Sequence, residues 1–361
     1  MQQLLYFRFA AILAISFNCS LAEQSEIPWP ALDTKLPIWE PQHTGDQRLP
    51  AIIYYHGTNG TPSIQLLRQV GAHQHFLLVV MTYVNPGRFV QSESNIAQEL
   101  TQLTKLKTIL TEQYHIDPER IYVAGFSKGG WFAATLLERD RSLAGGLILG
   151  AGVFHARQAS PPKAFKSKKP IFIGVGRFDG NYPQSLRALV HFRKLGATVT
   201  LEAWPNAAHE YPKETPLSMQ QWLQLQAEGA EASKASAQQW LAGQRRQIRQ
   251  LASPVDQWHA YQTLTQRPFT QAFDTALARA LKRDTEALLK KPAVQSEQAL
   301  LTELQDILRS ESRDRYVTTL ESALKRYETL IAKAEGSRIA SIAQLDAQRI
   351  RKLLTSAPRA R

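Results

Sequence analysis

Six apolar runs of β type, at residues 51–55, 76–83, 120–124, 146–149, 171–175 and 198–203, alternate with helical stretches at 94–113, 130–138, 183–195 and 216–226. Most of these runs are continuously apolar rather than alternating, the pattern of strands covered on both faces. Strands that alternate with helices in this way build an α/β fold with a doubly wound, mostly parallel sheet. Ligands of such sheets bind beyond the carboxyl ends of the strands, so a candidate functional residue must stand just after one.

The pattern stops near residue 225. Of the 19 glycines, 16 lie in residues 1–225 and 3 in residues 226–361, and the later segment has no strand-like alternation. It is rich in Ala, Leu, Gln, Glu, Lys and Arg, which predicts an all-α C-terminal region. Pro254, Pro268 and Pro292 divide it into pieces, with Gly336 as a further stop. Phe269, Phe273, Leu277 and Leu281 follow one face, as do Tyr316, Leu320, Tyr327 and Ile331. Glu311 and Arg315 interrupt the stripe begun by Leu301, Leu304 and Leu308, which argues against a long coiled coil. The expectation is a small bundle packed on the first region or on a partner, either a second subunit or another protein. The formal charge of +12 is spread along helices of mixed sign with no zinc-finger, base-stacking or recognition-helix pattern, so no nucleic-acid partner is expected.

Residues 1–22 read as a signal peptide: Arg8 supplies a weak basic n-region, residues 9–17 form an apolar run too short to span a bilayer, and Ser20-Leu21-Ala22 is a small-x-small cleavage site. The predicted organisation is a signal peptide at 1–22, a catalytic domain at 23–225 and a helical extension at 226–361, with export to the periplasm or the medium. A lipoprotein anchor at Cys19 is the rival reading. Cys19 is the only cysteine, so cleavage after Ala22 leaves no thiol for disulfides, nucleophiles or metals. No segment after the leader is apolar for long enough to cross a membrane.

Residues 117–130, DPERIYVAGFSKGG, end one of the apolar runs in Gly125-Phe126-Ser127-Lys128-Gly129 and pass directly into a helix. This is G-x-S-x-G in the strand-turn-helix context that gives the motif meaning. The serine must take a strained conformation to project its oxygen, and the positions two before and two after it must be nearly bare of side chain. A helix start there aims backbone N–H groups at any oxyanion that forms. The segment resembles the nucleophile elbow of the α/β-hydrolase fold, and in its longer form is similar to secreted, lidless esterases grouped with polyhydroxybutyrate depolymerases, feruloyl esterases and small carboxylesterases. The resemblance covers roughly residues 48–225 and does not reach the helical extension.

That resemblance implies a catalytic order of serine, acid, histidine. Asp179 closes a strand and glycine-containing loop after Ser127; Asp140, at the end of a charged helix, is its rival. His209 follows the last strand, and histidine is the residue able to accept and return a proton near neutral pH. The other histidines fall at the wrong end of the sheet, before Asp179 in the chain, or in the tail. His56-Gly57-Thr58-Asn59-Gly60 matches the oxyanion-hole loop, which implies the backbone N–H groups of Thr58 and Lys128 as donors, with His56 supporting the loop. Asn59, Tyr182 and Tyr211 are substrate-binding candidates, and 83–86, Phe126, Trp131 and Phe154 are further candidates for the walls, Phe126 and Trp131 reading more as core. The short Pro- and Lys-rich link around 159–163 stands where relatives insert a cap and predicts an open site. No metal cluster pattern is present and no cofactor is expected. The expected activity is that of a serine-dependent hydrolase acting on carboxylic esters, small or polymeric, through an acyl-enzyme. Its alternatives are a serine peptidase of the same fold, an acyltransferase, and a non-catalytic binding protein that uses the helical tail.

Overall fold

A computed structural model describes residues 23–29, 32–41, 48–58, 60, 65–84, 92–154, 165, 168–273, 275–312 and 316–356. The proposed signal peptide, Cys19, Asn59, the link at 159–163 and Arg315 lie outside them. The described strands form one eight-stranded sheet in the order β1-β2-β4-β3-β5-β6-β7-β8. The six predicted strands appear as β3 (Leu49–Tyr55), β4 (Leu77–Met81), β5 (Ile116–Phe126), β6 (Gly145–Leu149), β7 (Pro170–Gly176) and β8 (Thr198–Trp204). All six pair in parallel.

Two further strands were not among the six. β1 (Glu23–Trp29) and β2 (Thr34–Glu40) form an antiparallel hairpin, and β2 joins the sheet edge antiparallel to β4. Their inward residues Ile27, Trp29, Leu36 and Ile38 are buried, at spacing two, whereas the runs that announce the central strands are continuous.

Successive residues of each central strand enter opposite layers. In β3, Ala51, Ile53 and Tyr55 join one core with helices α2 (Glu93–Gln113), α3 (Lys128–Arg139) and α4 (Tyr182–Lys194). Ile52 and Tyr54 face the other core, built with α1 (Gln65–Gln69) and α5 (Leu217–Glu228). This is why those runs are apolar at every position.

After β8, the rest of the described chain is helical. α5 runs past 225 to Glu228 and stops at Gly229, whose φ of 83° and ψ of 162° suit glycine alone. There follow α6 (Ala230–Arg249), α7 (Pro254–Thr265), α8 (Pro268–Ala272), α9 (Ala276–Leu288), α10 (Pro292–Glu311), α11 (Val317–Lys333) and α12 (Arg338–Ser356). Pro254, Pro268 and Pro292 each occupy the first position of a helix, where no intrahelical N–H is needed. The stripe read through Phe269, Phe273, Leu277 and Leu281 is not one face: Phe273 is extended between α8 and α9, so Phe269 and Phe273 pack with Leu225 and Ala237 while Leu281 joins Trp258 and Tyr261. Tyr316 is 73% exposed, whereas Leu320 and Tyr327 of its expected face are buried.

The bundle packs on the sheet domain of the same chain. Val175 of β7 and Tyr182 of α4 share a core with α10, α11 and α12. Glu311, expected to interrupt a stripe, is itself buried: Arg349 Nη2 donates to it at 2.8 Å and the Tyr327 hydroxyl at 2.9 Å. A carboxylate tolerates that environment because a guanidinium and a phenol satisfy its oxygens.

Candidate active site

Ser127 stands between β5 and α3 at φ 54°, ψ −120°, a strained conformation for a residue with a Cβ. The turn is held by Ser127 N–H on the Leu149 carbonyl at 2.8 Å and by Trp131 N–H on the Ser127 carbonyl at 3.0 Å. A Cβ on Gly125 would overlap the Gly129 carbonyl, and one on Gly129 the Tyr55 carbonyl of β3. The two bare positions therefore let the turn close and α3 start against the neighbouring strand.

His209 follows β8 on a loop and is exposed, and Asp179 follows β7 and is buried. His209 Nε2 lies 2.7 Å from Ser127 Oγ and Nδ1 lies 2.8 Å from Asp179 Oδ2. Asp179 can only accept from the ring, so Nδ1 carries the proton and Nε2 is left to accept the serine hydroxyl. The second carboxylate oxygen, Oδ1, accepts the Asn181 N–H at 2.7 Å. Asp140, the rival acid, caps the far end of α3 and binds Lys107 and Ser142.

The loop after β3 lies against the serine: a Cβ on Gly57 would stand 3.5 Å from that of Ser127. His56 Nδ1 donates to the Gly57 carbonyl at 2.7 Å, and the Tyr83 hydroxyl donates to the His56 carbonyl at 2.6 Å. Thr58, next in the chain, is exposed, and Lys128 is the first residue of α3. Of the two candidate oxyanion donors, Lys128 directly follows Ser127 in the chain and Thr58 directly follows Gly57. The Lys128 side chain turns inward, with Nζ 4.2 Å from the centre of the Tyr83 ring.

Behind Lys128 is a residue that the sequence did not single out. Glu99 of α2 is buried and accepts the Val84 N–H at 2.7 Å. Burial pushes its carboxyl up to about 7, against the pull of that N–H and of Lys128. On sequence, Glu99 is one polar position among many on a helix.

Of the candidate walls, Phe126 is half-buried and faces both His209 and Tyr211, with ring centres 5.0 and 4.6 Å apart. The Tyr211 hydroxyl is hydrogen-bonded to that of Tyr54. Trp131 and Phe154 pair at 4.6 Å, and Phe154 is 38% exposed. Tyr182 requires a correction: it is 6% exposed, lies under Arg177 and is packed among tail helices, so it forms part of the seam with the bundle and not a substrate wall. Among the described residues, no group of three or more His, Cys, Asp or Glu could hold a metal ion, and no helix is long and apolar enough to cross a membrane.

The dienelactone hydrolase family matches residues 88–244, a span that contains Ser127, Asp179 and His209. The chain has the α/β-hydrolase fold. The family match supports a hydrolase of the esterase type. Among solved structures, the α/β-hydrolase chain is similar to a phospholipase/carboxylesterase from Dyadobacter fermentans, at 17% identity and TM-score 0.42, covering 56% of this chain and 98% of that one. A Bacillus cereus carboxylesterase shares 18% identity with TM-score 0.42 over 53% of this chain and 93% of the other. An acylaminoacyl peptidase of Pyrococcus horikoshii shares 16% identity with TM-score 0.45, over 59% and 42%. No curated protein matches the chain.

Proposed function

We propose that this hydrolase cleaves carboxylic esters by a serine-dependent, two-step route. The observation that carries the reading is the unbroken hydrogen-bond path from Ser127 through His209 to Asp179, at 2.7 and 2.8 Å. Ser127 Oγ attacks the ester carbonyl carbon while His209 Nε2 takes its proton, and Asp179 holds the ring and stabilises the imidazolium. The carbonyl oxygen becomes an oxyanion and accepts from the backbone N–H groups of Lys128 and Thr58. Collapse expels the alcohol, which takes the proton from His209 and leaves an acyl-serine. A water then attacks and gives its proton to His209, and the acid leaves as His209 returns that proton to Ser127 Oγ.

Phe126, Tyr211 and the Trp131–Phe154 pair offer apolar surface to the acyl or alcohol group. The site would work outside the cytoplasm, a reading that rests on the leader-like residues 1–22. The test compares nitrophenyl esters with the matching nitroanilides. Turnover of esters without turnover of anilides is expected. Anilide cleavage of equal efficiency would make the protein a peptidase, and binding of acyl ligands without cleavage of either would make it a binding protein.

A further inference from the structure

The helical region beyond 228 reaches the candidate acid of the site through a buried ionic cluster. Arg177 stands two residues before Asp179, on the loop between β7 and α4, and its guanidinium is paired with Asp346 of α12. Asp346 also accepts from Arg349 Nη2 at 3.2 Å, and Arg349 is paired with Glu311 of α10. Two guanidiniums therefore face two carboxylates, and Asp346, Arg349 and Glu311 are each 3% exposed or less. An isolated buried charge is costly, so each of these groups depends on the others.

The same loop is gripped at two more points from the tail. Leu353 of α12 lies against Gly180, where an added Cβ would come within 3.1 Å of it. Tyr182 is sandwiched in the tail core, with the Arg177 guanidinium 4.3 Å from its ring centre. On the opposite side, the loop is tied to the sheet by Arg177 N–H on the Trp204 carbonyl at 2.8 Å and Phe178 N–H on the Ala207 carbonyl at 3.0 Å. Residues 204–207 lead directly to His209. Asp179 thus occupies a loop held between the His209 segment and the last helix of the chain.

We propose that Asp346 is a positioning residue for hydrolysis: by holding Arg177 it fixes the 177–182 loop, and through it the carboxylate that orients His209. The inference rests on the serine-histidine-aspartate reading and gives the helical region a role in that site. A misplacement of about 1 Å far from the reacting atoms can lower turnover by roughly 100-fold, so a loop restrained from both sides is a sensitive place to act.

The test uses the full-length protein, with turnover expressed per serine labelled to completion by a fluorophosphonate. Asp346→Asn is expected to lower kcat by roughly 10- to 100-fold, to change KM little, and to move the acid limb of the kcat/KM profile. Glu297→Gln serves as the control. It breaks a different buried pair of the bundle, His259 with Glu297, and is expected to lower Tm with kcat and pH profile unchanged. Parental kcat and profile in Asp346→Asn, or an equal fall in Glu297→Gln, would overturn the proposal. If Asp346→Asn does not fold, Leu353→Ala, altered at a half-buried side chain, decides: a smaller fall in kcat with the same shift supports the proposal, and no change overturns it. Ser127→Ala separates the two levels. Activity surviving in it removes the serine reading, whereas an inert Ser127→Ala beside a normal Asp346→Asn removes only the role of the tail.

Discussion

Glu99 carries a pH dependence that follows from its burial. Its carboxyl is raised from 4.5 to about 7, so the folded state holds a proton that the unfolded chain releases more easily. The associated stability is fully present below pH 4.5 and is lost as pH rises through about 7. A shift of this size corresponds to roughly 3 kcal/mol. Glu99→Gln cannot ionise, so melting curves at about pH 5 and about pH 8 should show its Tm improving relative to the parent by roughly 5 °C at the higher pH. An equal difference at both pH values would contradict the assignment. The three side chains that meet at 2.7 and 2.8 Å were candidates on local grounds: Ser127 because two bare glycines flank it, His209 and Asp179 because each follows a strand. Glu99 and Arg177 were not, since their environments are set by side chains that local pattern does not specify. Tyr182 was misread for the same reason, because a tyrosine after a strand reads alike whether it faces ligand or the tail.

Among the elements, the junction between α5 and α6 rests on one residue. Gly229, at φ 83° and ψ 162°, has no atom within 4 Å of an added Cβ, so a substitution there acts on the backbone alone. Gly229→Ala should cost about 1–3 kcal/mol and lower Tm. Gly243, inside α6 and likewise with nothing near its Cβ position, lacks that strain; Gly243→Ala should stabilise by about 0.5–1 kcal/mol and raise Tm. Thermal melts that moved both variants the same way would contradict this reading. The central strands were legible because burial on both faces makes them apolar at every position. The β1–β2 hairpin was not, because an edge hairpin covered on one side needs only alternate residues such as Ile27 and Trp29. In the tail, prolines at helix starts marked the breaks well, but the phenylalanine and leucine stripe ran on across the extended Phe273.

At the scale of the whole molecule, the chain couples a sheet domain to a helical bundle by a shared apolar core and by the Arg177–Asp346 pair. Residues 169 apart in sequence meet there, and no periodicity announces such a contact. The composition changes near 225, inside α5, while the attachment of the later helices to the 177–182 loop emerged only in three dimensions. The site itself lies where a doubly wound sheet puts it, after β3, β5, β7 and β8. In the proposed mechanism its chemistry depends on one oxygen being activated by the neighbouring imidazole. The most direct measurement is fluorophosphonate labelling of the folded protein followed by peptide mapping. A single adduct on Ser127, formed in step with loss of ester turnover and abolished in His209→Ala, is the predicted result. An active protein that loses turnover with Ser127 unmodified, or a label on another residue, would contradict it.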